Sequence, residues 1–428
     1  MANVLRDIDR IKNAIEKAAS NANIHPRQVT KTQIFETDSE ISDWMIRKAG
    51  GISAIKNNFA ITTKDLAEIQ SYKDVNKYIA SLEKRVAQKE LFEKEVKEKI
   101  NSLLTPIKVK PYKANRKASK LKRENVVMLN DVHYGLIVNP DEVGGSNKFS
   151  WTEACRRTAF LTKQVCEYKL DKRNEVDRLH VILNGDMLQG VIHDLTARTA
   201  ELLIHQVNGA VHILGYMISN LATNYREVVV HGVSGNHDDA HHRREGGRVL
   251  SHKYDSYTNM VYFALSAMFK DQPNVKFDFP KNLYGAVDLP NGRIIYTHGD
   301  TMFSSELGNP GKSLNTKSLG DSLSRFNSGE IDKNNPKAKM FLFGHVHSHA
   351  EFTAFDGTKV MIAPSLSGVD SFAASLAINH NQIGQLLFES TSEYIAGDKR
   401  LIELLKADKD ESLDKIIPIF KNKLSWMK

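Results

Sequence analysis

Five short apolar runs, each ending in a group of His, Asp or Asn, constrain this chain more than any other feature. Residues 125–129 lead into "LNDVHYG", 179–183 into "LNGDMLQG", 228–230 into "GVSGNHDD", 294–296 into "YTHGD" and 340–343 into "FGHVHSH". Runs this short, rich in Val, Ile, Leu and Phe, read as buried strands. Helical patterns over 151–170 and 199–220 lie between the early ones, and that alternation implies an α/β sheet covered by helices. Ligands of open α/β sheets bind at the carboxyl ends of the strands, so the five polar groups should converge on one place.

Their residue types point to a metal. Residues two apart in an extended segment share a direction, so Asp131 with His133, and His345 with His347, can each aim at one centre. Gly185, Gly235 and Gly344 let the chain turn off a strand without a Cβ clash. The donors are oxygen and imidazole with no thiolate, a set suited to Mn, Fe or Zn. Only Cys155 and Cys166 occur in the chain, so a disulfide framework is not expected and a reducing compartment is.

Upstream, the sequence has a different texture. Residues 1–64 hold short helical patterns. Thr37, Asp38 and Ser39 offer a cap; Ile41, Met45 and Ile46 recur at helical spacing; Gly50 and Gly51 break the chain before Ile52, Ile55 and Phe59. The pattern suits a helix-turn-helix or a plain helical bundle. Residues 65–104, rich in Lys and Glu with apolar residues every three or four positions, predict a long amphipathic helix, either docked on its own protein or forming a homo-oligomer seam. The stretch 105–124 carries two prolines and dense Lys and Arg, which predicts an extended basic linker able to meet a polyanion. Residues 303–337 read as an insertion or loop, and 396–428 as a C-terminal helical tail. A net charge of +8 agrees with a polyanionic partner. The charged N-terminus and the lack of a long apolar stretch predict neither signal peptide nor membrane span, hence a cytoplasmic protein.

The ordered set D-x-H, GD, GNHD, H and G-H-x-H resembles the calcineurin-like metallophosphoesterase superfamily over about residues 125–395. The resemblance implies an α/β fold, a β-sandwich of two mixed sheets flanked by helices, here preceded by an all-α region. It also implies two divalent metal ions, Mn2+ first, with Fe, Zn or Mg as alternatives. One ion would be held by Asp131, His133 and His347, the other by Asn236, His298 and His345, with Asp186 and a hydroxide bridging them. Bridging anions keep two cations about 3.5–4 Å apart from repelling each other. His237 corresponds to the family's phosphate-contacting general acid. Asp238 would orient its neighbours, and His242, Arg243 and Arg244 would meet flanking phosphates.

Two readings of the substrate follow. "GDMLQG" lacks the D-R-G of Ser/Thr protein phosphatases, and Gln189 stands where double-strand-break exonucleases often carry a histidine. The basic linker and the N-terminal helices favour DNA, hence a nuclease similar to SbcD-type or phage-encoded enzymes, which would act in the host cytoplasm if phage-encoded. The alternatives are a phosphatase or phosphodiesterase on small nucleotides, and a non-catalytic scaffold of the same fold. An intact ligand set argues against the scaffold.

Overall fold

The computed structural model describes residues 2–48, 51, 55, 106–110, 112, 122–171, 176, 178–191, 200–240, 253–308, 314–329, 337–375 and 382–418. The chain divides into two compact units, Met1–Lys99 and Ile100–Lys428.

In the first unit, α1 (Ala2–Ala22) buries Ile11, Ala14, Ile15, Ala18 and Ala19 along one stripe, the spacing of an amphipathic helix. That stripe packs with Ile34 of α2 (Lys31–Thr37), Ile46 of α3 (Asp43–Lys48), Val29, Ile41 and Ile55. Thr30 and Gln33 close α2 with a reciprocal capping box. A helix runs through Met45 as expected, but it starts at Asp43 with Ser42 Oγ accepting the Met45 amide, and Thr37 ends α2 instead of capping the next helix; Gly51 has φ +91°. The amphipathic pattern of 65–104 lies outside the described residues, as do Ile52 and Phe59.

The second unit is built on two mixed sheets. In the first, β1 (Arg123–Leu129), β2 (Arg178–Asn184), β3 (Val228–Val233) and β4 (Val275–Asp278) run parallel. Next to β1 come the antiparallel β10 (Gly384–Thr391) and β11 (Lys399–Glu403). The second sheet has the order β5 (Gly285–Leu289), β6 (Gly292–Thr297), β7 (Ala338–Phe343), β9 (Lys359–Ile362), β8 (Ala350–Thr353).

Strand periodicity sorts the side chains into layers. Val127 and Leu129 of β1 face the helices α4 (Trp151–Asp171) and α5 (Leu203–Asn224), while Val126 and Met128 meet Ile294, Tyr296, Met340 and Leu342 between the sheets. Phe341 and Phe343 point outward into a third core. Burial on both faces explains the continuous apolar runs.

Three expectations need correction. The 303–337 stretch contains α7 (Ser304–Leu307) and α8 (Thr316–Asn327), and Leu319, Leu323 and Phe326 close the third core. Its apolar residues are few but fall one helical turn apart. The segment after residue 395 is not a helical tail at its start: Lys399–Glu403 forms β11, followed by short 3-10 turns, because Ile402 and Leu404 bury against the first core. The basic linker is tied down at its start, where the Ile107 amide donates to Met268 O (2.9 Å) and Gln272 Nε2 donates to Ile107 O (2.6 Å). Among the described residues no helix is long and apolar enough to cross a membrane.

Candidate metal centre

The loops leaving β1, β2, β3, β6 and β7 bring Asp131, His133, Asp186, His237, His298, His345 and His347 together at one edge of the two sheets. Ligand atoms of Asp131, His133 and His347 lie within 4.8 Å of one another, as do those of Asp186, His298 and His345, and those of His133, Asp186 and His237. Asp186 connects the groups, with Oδ2 3.1 Å from His298 Nε2 and 3.8 Å from His133 Nε2. His347 Nε2 is 3.2 Å from both Asp131 Oδ1 and His133 Nε2.

The backbone achieves this differently from the extended pairing expected of Asp131/His133 and His345/His347. Asp131, His133, Asp186, His345 and His347 all have left-handed φ, between 49° and 66°. A non-glycine residue there costs roughly 1–2 kcal/mol, and such strain collects at functional sites. Gly235 serves by leaving space, since a Cβ on it would lie 2.0 Å from Asp186 Oδ1.

Neighbouring groups fix each ring. His298 Nδ1 bonds Asn184 O (2.9 Å) and His133 Nδ1 bonds Gln189 Oε1 (3.1 Å), leaving both Nε2 atoms for the centre. Asp238 is buried and accepts the amides of Asp186 (2.8 Å), Gly235 (2.7 Å) and Leu188 (3.2 Å), and also the Thr258 hydroxyl. It therefore shapes the loop that presents Asp186. His237 donates its amide to Asp186 Oδ1 (2.8 Å), and its Nδ1 meets Gln189 O at 3.0 Å. Asn236 Oδ1 is buried with no hydrogen-bond partner among the described residues. His242, Arg243 and Arg244 lie outside them.

The electrostatics describe a site that attracts cations. Burial opposes the charged form of every group here. Even so, the neighbouring imidazoles hold Asp131 and Asp186 below the usual carboxylate range. Against burial, the Asp186 and Asp131 charges push His298 up to about 10, and Asp131 raises His347. Burial and adjacent imidazoles take His133 down to about 3 and His345 to about 4. Two ionised carboxylates, lone-pair-bearing imidazoles and an unpaired amide oxygen fit a divalent ion.

Sequence reasoning noted Gln189 only as a departure, yet this residue contacts both His133 and His237. It also missed Thr258, and Asn130, which donates its side-chain amide to Asp131. A polar residue beside an expected ligand was the available signal for Asn130; Thr258 is brought in from α6 (Tyr257–Met268) by the fold alone.

No protein-family model matches the chain, and no curated protein does. Among solved structures the chain is similar to a dimetal phosphatase from Danio rerio, at 11% identity over 65% of this chain and 96% of that one, TM-score 0.31. It is also similar to a metallophosphoesterase from Sphaerobacter thermophilus (9%, covering 69% and 94%, TM-score 0.26) and to an archaeal phosphodiesterase (10%, covering 65% and 99%, TM-score 0.30). The fold of this chain rests on its own strands and helices, and its chemistry on the residues at the strand ends.

Proposed function

We propose that the chain is a divalent-metal-dependent phosphoester hydrolase and, more finely, a DNA nuclease. The observation that carries the hydrolase reading is the meeting of two His/Asp donor groups at one buried carboxylate, Asp186. Asp131, His133 and His347 would hold one ion, and Asn236, His298 and His345 the other, with Asp186 shared. Bound divalent ions, Mn2+ foremost, would neutralise charge on the phosphoryl oxygens and activate water. The protein's own part is positional. Gln189 and Asn184 aim the rings of His133 and His298, Asp238 holds the Asp186 loop, and His237, oriented by its Nδ1 contact with Gln189 O, would protonate the leaving oxygen.

The DNA substrate is supported by the net charge of +8 and the Lys- and Arg-rich stretch just ahead of β1. A small-phosphoester substrate is the second reading, favoured by the donor set lying wholly within the second unit. The test is incubation with Mn2+ and linear duplex, circular duplex, single-stranded DNA or bis-p-nitrophenyl phosphate, with Asp186→Ala as control. DNA degradation by the wild type alone supports the nuclease, and small-ester hydrolysis with DNA intact supports the second reading. Inactivity on all four with metal bound overturns both.

A further inference from the structure

Away from the metal centre, four titratable side chains form a line across the parallel strands of the first sheet. Glu124 of β1 meets His180 of β2 (Oε2 to Nε2, 2.9 Å), His180 meets His231 of β3 (Nδ1 to Nε2, 2.9 Å), and His231 meets Asp278 of β4 (Nδ1 to Oδ2, 3.1 Å). Glu124, His180 and His231 are 1%, 3% and 4% exposed, whereas the Asp278 side chain is 59% exposed. Glu124 also faces Arg178 and Lys122, and the Tyr296 ring of β6 lies 6.1 Å from His231.

The line can be counted in protons. Its three hydrogen bonds need three hydrogens. Two neutral imidazoles bring two, and each is committed to a carboxylate: His180 Nε2–H to Glu124 and His231 Nδ1–H to Asp278. That would leave two lone pairs facing each other at 2.9 Å in the middle of the line, an arrangement that repels. One further proton resolves it.

We infer that the Glu124–His180–His231–Asp278 line is a binding site for one proton, held on the imidazole pair between the two carboxylates. Against its burial, the His180 bond and charge, and after them the Arg178 and Lys122 charges, hold Glu124 below the usual carboxylate range. The bond from His231 does the same for Asp278. Burial lowers His180 despite the Glu124 bond. The charge then ties the edge strand β4 to β3, just where the chain leaves the first sheet for β5. A proton bound in the folded state and released on unfolding stabilises the fold below the ordinary imidazole pKa, and the stabilisation is lost as pH rises and the proton leaves.

The test compares the full-length wild type with His231→Gln, which can still donate to His180 but cannot titrate, and with Asp278→Asn at the exposed end. Wild-type thermal midpoints should fall by several degrees more from about pH 6 to about pH 9 than those of either variant, the slope left in the variants being that of other raised groups such as His298 and His347. Histidine 15N shifts of the wild type should show one ring of the His180–His231 pair protonated on both nitrogens at neutral pH and the other on one. Two neutral rings, or a pH slope unchanged in the variants, overturn the inference. If His231→Gln fails to fold, the 15N shifts and Asp278→Asn decide.

Discussion

Replacing Asp186 by Ala should abolish both metal binding and turnover, because this carboxylate is the group shared between the two donor sets; calorimetry showing two ions still bound would refute the sharing. His237→Ala should retain the metals and lose roughly 10²–10⁴-fold in turnover, the usual worth of a positioned acid; equal metal loss in both variants would make His237 a ligand. Proton release is a further consequence at this scale. His298 is raised to about 10, so it carries a proton near neutrality that a divalent ion must displace, and His347 is shifted in the same direction by Asp131. Metal affinity of the apoprotein should therefore rise from about pH 6 to about pH 9, with protons released into the buffer on titration. These donors were legible in the sequence, since each follows an apolar run. The left-handed backbone that makes them converge was not, because nothing local in D-x-H or H-x-H distinguishes a curled pair from an extended one.

Among the elements, the β3 turn depends on closeness. Gly235→Ala would drive a Cβ to 2.0 Å from Asp186 Oδ1, so metal affinity should fall while the circular-dichroism spectrum is retained. Helix α4 carries another dependency in Arg157, which is fully buried. It donates to Leu366 O (3.0 Å), Ser367 O (2.9 Å), Asn147 Oδ1 (3.1 Å) and Asp408 Oδ2 (3.0 Å). The amides of Leu366 and Ser367 in turn donate to Asp131 O. Arg157→Met should cost about 3–5 kcal/mol in denaturant unfolding, the range for breaking a buried charged network. The five strands with site residues at their ends were readable from their hydrophobic runs. The edge strands β4, β8 and β11 were not, because each is short and half-exposed, and α8 was hidden by polar residues between its three core positions.

At the scale of the whole molecule, the second unit contains its own cores and every member of the candidate site. Deleting residues 1–99 should leave metal binding and small-ester hydrolysis intact. On the nuclease reading, the deletion should weaken duplex binding and flatten its salt dependence, provided the N-terminal helices meet phosphates; unchanged DNA affinity would confine the contact to the second unit.

What the sequence by itself determined was five buried strands and the donor residues at their ends, because continuous apolar runs and ligand chemistry are written in residue type and spacing. Only the tertiary structure decided which donors share Asp186, that Gln189 and Asp238 support them, and that two histidines without motif context join a four-residue line through the sheet. Those relations pair residues tens to hundreds of positions apart, and strand register and the packing of two sheets bring them within hydrogen-bond reach.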